Sequence, residues 1–258
     1  MGKHIIPRIS WVDEQYYRGI KMAKRNYAKR ETKEYNFMTE IFQWIAVWIF
    51  VMPYAGLFFR IKVEGRENIP KNESFLVAPT HSSYLDPELV SFATMRPIAY
   101  MAKKELYDVP ILRQIIVCLG TFAVNRDKLE IATIRTAQAI MQTKRWMLSM
   151  FPQGNRDLPG KITKVNPGFA YLARAAKTKI LPVSIHGAAG FSKIPFSKKL
   201  LIKIGKPFEP SKNLADTMEQ WCEAIVALGD YEMTDSAREK IQQIREKKDS
   251  HENSSAKS

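Results

Sequence analysis

Cysteine is scarce in this chain. Cys118 and Cys222 are the only two among 258 residues, both in apolar segments, and they make neither a disulfide framework nor a metal site. Acidic residues are also short, 26 against 40 Lys and Arg. The resulting net charge of +14 points to an anionic partner: nucleic acid, a membrane surface or a phosphorylated substrate. No recognisable nucleic-acid-binding motif accompanies that charge, so nucleic acid is not the expected partner. The small-residue cleavage pattern of a secretory signal is missing, as is any internal repeat of the usual lengths. What is present is ordinary for a globular chain, 45% hydrophobic and 26% charged. These values exclude wholly disordered, collagen-like and polytopic membrane chains, and the length suits one catalytic domain with an appendage.

The longest uncharged stretch runs from Ile41 to Phe59, IFQWIAVWIFVMPYAGLFF. As a straight helix it would reach about 28 Å, nearly a bilayer core. Pro53 and Gly56 argue for a broken or re-entrant segment instead, and the aromatic residues suit a headgroup boundary. Basic residues flank it on both sides, with Arg18, Lys21, Lys24, Arg25, Lys29, Arg30 and Lys33 before and Arg60, Lys62, Arg66 and Lys71 after. A single span would put one cluster on the outer face, whereas an interfacial anchor keeps both in the cytoplasm beside anionic lipid. The bland alternative is a buried core helix.

From Ile61 the pattern changes to short apolar runs alternating with helical stretches, the mark of an α/β domain. Residues 1–60 therefore read as a basic N-terminal segment with a membrane-associating helical region, 61–248 as the catalytic domain, and the polar 249–258 as a disordered tail. Strands are expected at 74–79, 97–101, 121–124, 146–151, 180–185 and 200–204. Helices are expected at 87–94, 111–119, 129–143 and 167–176, with a long one at 213–247 that breaks near Gly229.

Four strand ends carry chemistry. In VAPTHSSYLDPELV, His81 lies in a turn from strand to helix, and a five-residue offset can fold the Asp86 carboxylate back toward its imidazole. That is half of a nucleophile-activating dyad; with no Ser or Cys mounted on a nucleophile elbow nearby, the hydroxyl to be activated is expected to belong to a substrate. The plainer reading is that Asp86 caps the helix and His81 is a loop histidine. In MFPQGNRDLPG, Arg156 offers a planar fork for phosphate, with Gln153 and Asn155 as neutral donors beside Gly154. In GTFAVNRDK, Arg126 and Lys128 end a strand, as Lys103 and Lys104 do in YMAKKELYDVP. Together these strand ends suggest one shared anionic pocket, although solvation explains any one of them equally well.

At these residues the sequence resembles the glycerolipid acyltransferases, the group containing 1-acyl-sn-glycerol-3-phosphate and glycerol-3-phosphate acyltransferases. His81 to Asp86 matches the H-x4-D block, Gly120 to Arg126 the G-x-x-F-x-x-R type block, Phe151 to Arg156 the FPEGTR block and Leu181-Pro182-Val183 the V-P-V/I block, in order, within about residues 63–207. Gln153 and Asn155 depart from the usual Glu and Thr. The resemblance implies an acyltransferase-like mixed sheet flanked by helices, with an N-terminal membrane-anchoring segment. It implies that His81, oriented by Asp86, deprotonates the sn-2 hydroxyl of 1-acylglycerol-3-phosphate, which attacks an acyl-CoA or acyl-ACP thioester. Lys103, Arg126 and Arg156 would hold the acceptor phosphate, Gly154 would allow its close approach, and Gln153 and Asn155 would add polar contacts. Neither metal nor redox cofactor is required. The implied partners are a lysophospholipid acceptor, an acyl thioester donor, acyl carrier protein and anionic lipid at the cytoplasmic face of a bacterial inner membrane or its equivalent. The alternatives are an acyltransferase for glycerol-3-phosphate or another lysophospholipid such as lysophosphatidylglycerol, and an inactive lipid-binding membrane adaptor.

Overall fold

The computed structural model describes residues 26–124, 130–190, 194–229 and 231–255. The basic positions Arg18, Lys21, Lys24, Arg25, Arg126 and Lys128 lie outside them. Among the described residues, seven strands form one sheet in the order β1-β8-β7-β2-β5-β3-β4. They are β1 (Phe59–Glu64), β2 (Leu76–Pro79), β3 (Ile98–Lys103), β4 (Phe122–Val124), β5 (Met147–Ser149), β7 (Ile180–His186) and β8 (Lys198–Ile204). Two short strands, β6 (Lys161–Ile162) and β9 (Glu232–Met233), pair with each other in a second sheet. β7, β2, β5, β3 and β4 run parallel, so their C-terminal ends share one edge. β8 runs antiparallel to β7 and parallel to β1.

A mostly parallel sheet must be covered on both faces, which explains its short, almost continuously apolar strands. Alternate side chains feed two cores. Leu76 and Ala78 join Phe122, Trp146, Phe169 and Trp221 on one side, while Phe75 and Val77 join Leu89, Ile98, Met147 and Val183 on the other. Trp221 also donates its indole N–H to the Ala78 carbonyl at 2.9 Å, tying helix to central strand.

The helices in chain order are α1 (Phe37–Ile45), α2 (Met52–Phe58), α3 (Asp86–Thr94), α4 (Pro110–Cys118), α5 (Ile131–Gln142), α6 (Gly168–Ala176), α7 (Leu214–Ala227) and α8 (Asp235–Ser255). The expected strands and the four shorter helices are all present within a few residues of their expected bounds. The long C-terminal stretch is divided into α7 and α8 around Gly229, whose φ of +89° suits glycine.

Several expectations need correcting. Pro53 does not break the apolar segment: a π-helical stretch at Ala46–Val51 joins α1 to α2, with Met52 N–H reaching Val47 O. The wider turn accommodates proline within a continuous 22-residue helix, Phe37–Phe58. β1 follows at once, so Arg60 lies inside a strand. Residues before the helix belong to the domain as well. Arg30, grouped by sequence with the flanking surface charges, is buried, and one guanidinium nitrogen donates to Val117 O at 3.0 Å and Thr121 O at 2.7 Å. Tyr35 packs edge-on against Trp146 in the core. Finally, α8 continues to Ser255, through most of the stretch expected to be a disordered tail. Residues 249–255 contain no Gly or Pro, and adding such residues to a formed helix costs less than starting a new one.

The helix Phe37–Phe58 is long and apolar enough to cross a membrane. Yet Gln43, Val47 and Ala55 are fully or nearly buried along one side. Gln43 bonds both the N–H and C=O of Ile98, and Glu40 takes Arg145 as a two-pronged ion pair at 2.6 and 2.9 Å. Met38, Phe42, Ile45 and Ile49, at helical spacing, form a bare apolar stripe on another side.

Candidate active site

β2 ends at Pro79 in the middle of the parallel strands, and the chain turns there through Thr80 to His81. Thr80 pins the exit: its N–H donates to Val183 O, and its Oγ1 accepts the Ile185 N–H. His81 follows with its ring stacked on Phe151, centroids 4.0 Å apart. Its Nδ1 lies 2.8 Å from Asp86 Oδ2, an acceptor that makes Nδ1 the protonated nitrogen and leaves the Nε2 lone pair to accept a proton.

Asp86 is not the helix cap that the sequence suggested. Leu85 occupies that position, Asp86 is the first helical residue and Pro87 the second. The carboxylate turns back into the loop, where Oδ2 also accepts the Ser82 and Ser83 N–H groups, each at 2.7 Å. It is fully buried. Burying an ion this way requires compensating donors, and three converge on one oxygen. The plainer reading of His81 and Asp86 therefore gives way to a bonded pair.

The loop after β5 lies beside this turn, and Gln153 faces inward rather than toward a ligand. Its Oε1 accepts the His81 N–H at 2.7 Å, and its Nε2 donates to Asp157 Oδ2 at 3.0 Å and Lys161 O at 3.3 Å. Gln153 is buried and its amide is consumed, which corrects its placement as a substrate contact. Asp157 closes the clamp, its N–H donating to His81 O at 2.8 Å. The amide at 153 has a local reason, since a glutamate there would set a second carboxylate about 3 Å from Asp157. Gly154 is also explained from within: its φ is +76°, and an added Cβ would meet Asn166 Nδ2 at 2.5 Å. Asn166 thus packs against the bare α-carbon of Gly154.

Asn155 and Arg156 are exposed on the rim. Arg156 sits over the Tyr84 ring, Cζ 3.7 Å from the centroid, and donates to the Tyr84 hydroxyl at 2.8 Å. The two line a cleft of about 160 Å³ together with Ser82, Ser83, Leu85 and Gly190. Lys103 ends β3 on the same edge, separated from β2 by β5, and pairs with Glu105 at 3.4 Å. It does not line the cleft. Arg126 would follow β4, the outermost strand of that edge, and lies outside the described residues. Sequence reasoning missed Phe151, Tyr84 and Asp157, although each sits inside or next to a motif it had singled out.

Behind the turn lies a second carboxyl. Burial raises the pKa of Glu88 to about 7, and its Oε2 is buried without a hydrogen-bond partner. The neighbouring Tyr100 hydroxyl donates to Pro87 O and meets Ser91 Oγ at 2.9 Å, bracing the first turn of α3.

A His–Asp pair with its carboxylate buried, at the carboxyl ends of parallel strands and beside an arginine-bearing cleft, is an arrangement able to accept a proton from a bound group. Comparison with known proteins narrows that reading. Residues 60–186, just under half of the chain, match the Acyltransferase family. A 1-acyl-sn-glycerol-3-phosphate acyltransferase of Borreliella burgdorferi is 26% identical over 162 residues, 62% of this chain and 60% of the relative. One of the same name from Streptococcus pneumoniae is 27% identical over 147 residues, 56% of this chain and 54% of the relative. The chain thus spans a little over half the length of these two curated relatives. The crystal structure of a 1-acyl-sn-glycerophosphate acyltransferase from Thermotoga maritima shares the fold, with a TM-score of 0.56 over 82% of this chain and 84% of that one, at 23% identity.

Proposed function

We propose that the protein is a membrane-associated O-acyltransferase that moves an acyl group from a CoA or acyl-carrier-protein thioester to the sn-2 hydroxyl of 1-acylglycerol-3-phosphate, giving phosphatidic acid. The observation that carries this reading is the 2.8 Å contact between His81 Nδ1 and an Asp86 carboxylate engaged by the turn rather than by the helix end. In the proposed reaction, His81 Nε2 takes the acceptor hydroxyl proton as the oxygen attacks the thioester carbonyl. Asp86 stabilises the imidazolium, which returns the proton to the departing thiolate as the tetrahedral intermediate collapses.

Arg156 is the proposed grip on the acceptor phosphate, with Lys103 along the same edge and Asn155 on the rim; Arg126 keeps the phosphate-holding role that the family motif implies. The acceptor and product are both amphiphiles, so a protein that handles them gains from lying on the bilayer. The stripe Met38, Phe42, Ile45 and Ile49 suits that role. With Gln43 and Glu40 tied to the domain, we read the helix as an interfacial anchor on the cytoplasmic face rather than a free-standing span. A second acceptor, such as glycerol-3-phosphate or lysophosphatidylglycerol, is favoured by one observation: the rim residues Asn155 and Arg156 are exposed and can meet more than one headgroup.

The test is thioester release by the purified protein in detergent, with lysophosphatidate, glycerol-3-phosphate and lysophosphatidylglycerol compared and His81→Ala as control. Preference for lysophosphatidate that disappears in the variant supports the reading. Release confined to another acceptor keeps the mechanism and changes the substrate, while no His81-dependent release with either donor makes the protein a lipid-binding adaptor.

A further inference from the structure

We infer that Tyr84, in the spacer between His81 and Asp86, is an acceptor-binding residue in its own right: it presents the Arg156 guanidinium and adds its hydroxyl as a second donor to the phosphate of a glycerophosphate headgroup. The inference deepens the reading above and rests on it. Tyr84 is 72% exposed, yet its backbone is not loose. Ser82 and Ser83 are bonded to Asp86, and the Leu85 N–H donates to Ser83 Oγ at 3.2 Å. A turn fixed for the sake of His81 therefore projects the phenol ring into the cleft it shares with Arg156.

The Arg156–Tyr84 geometry leaves both groups ready for an anion. The guanidinium carbon sits 3.7 Å from the Tyr84 ring centroid and one terminal nitrogen bonds the Tyr84 hydroxyl, so the remaining N–H groups can meet a phosphate. Arginine has no acceptor atom, so in the 2.8 Å contact the Tyr84 oxygen accepts, and its own O–H proton is left to donate elsewhere. Exposed pairs of this kind contribute little to stability, so ordering two side chains over the cleft is not explained by folding. Because the pair joins the loop after β2 to the loop after β5, it also fixes the distance from the phosphate grip to His81.

The experiment measures KM and kcat for 1-oleoylglycerol-3-phosphate, and KM for oleoyl-CoA, in the full-length protein and in Tyr84→Phe, Tyr84→Ala and Arg156→Ala. Loss of one hydrogen bond to a charged group predicts a roughly tenfold rise in acceptor KM for Tyr84→Phe, with kcat and donor KM unchanged. Tyr84→Ala should rise further, toward Arg156→Ala. An active wild type whose acceptor KM is indifferent to both Tyr84 substitutions overturns this inference alone. So does a fall in kcat with a parallel change in donor KM, which would mark Tyr84 as structural. A wild type with no His81-dependent turnover overturns the proposed function and this inference with it.

Discussion

The turn after β2 and the loop after β5 meet at one site but are built differently. In the first, His81 is held at its N–H, its carbonyl and its ring nitrogen, and Asp86 is buried beneath it. In the second, Pro152 and Gln153 are buried while Asn155 and Arg156 stand on the rim, Arg156 leaning on an exposed tyrosine. The group that would move the proton is over-determined by the fold, whereas the groups that would recognise the acceptor are held by a few surface contacts. Substitutions in the first region should therefore cost rate or stability, and those on the rim should change which acceptor is used.

The largest break in this contrast is expected from Asp86→Asn. An amide keeps the shape but cannot stabilise an imidazolium, so turnover should fall by roughly 10²- to 10⁴-fold while acceptor KM changes little, read in the thioester-release assay. A smaller and purely thermodynamic effect sharpens the same point at Glu88, two residues along the same helix. Asp86 Oδ1 and Glu88 Oε2 are both buried without a partner, but Asp86 has three donors on its Oδ2, and it is Glu88 whose pKa is raised by burial, to about 7 from 4.5. The folded state then holds a proton that the unfolded state releases between pH 4.5 and 7, so the protein loses stability as pH rises through that window. Glu88→Gln should remove this loss, gaining up to about 3 kcal/mol above pH 7 and nothing below pH 4.5, as denaturant melts at several pH values will show. Smaller again is Gln153→Glu. It places a carboxylate beside Asp157 and should cost about 1–2 kcal/mol near neutral pH, recovered as the pair takes up a proton at lower pH. At the rim, Arg156→Ala should leave the melting transition within about 0.5 kcal/mol of wild type while weakening phosphate-bearing acceptors.

The same division explains what the sequence disclosed. The buried parallel strands read directly from short apolar runs, and the H-x4-D spacing announced a pairing that needed only a local turn. What stayed hidden depended on partners far along the chain. Arg30 looked like surface charge because its acceptors, Val117 O and Thr121 O, come from the end of α4 and the turn after it, far along the chain. Gln153 looked like a ligand contact because Asp157 and the His81 peptide meet it only once the loops are folded. β1 was concealed because its residues follow the apolar helix without a break, and Pro53 was read as a stop because a π-helical stretch leaves no local mark in the sequence. The reading of Asp86 as a cap failed for a subtler reason: Asp followed by Pro suits a helix start whichever way the carboxylate turns.

The central claim is that His81 and Asp86 act as one unit on the acceptor hydroxyl. Single-turnover acyl transfer to lysophosphatidate, measured for His81→Ala, Asp86→Asn and the double variant, tests it most directly. If they form a unit, the double variant should be no slower than His81→Ala alone, because Asp86 has nothing left to orient. Losses that multiply would mean that Asp86 acts independently of His81, and an undiminished rate in His81→Ala would contradict the account outright.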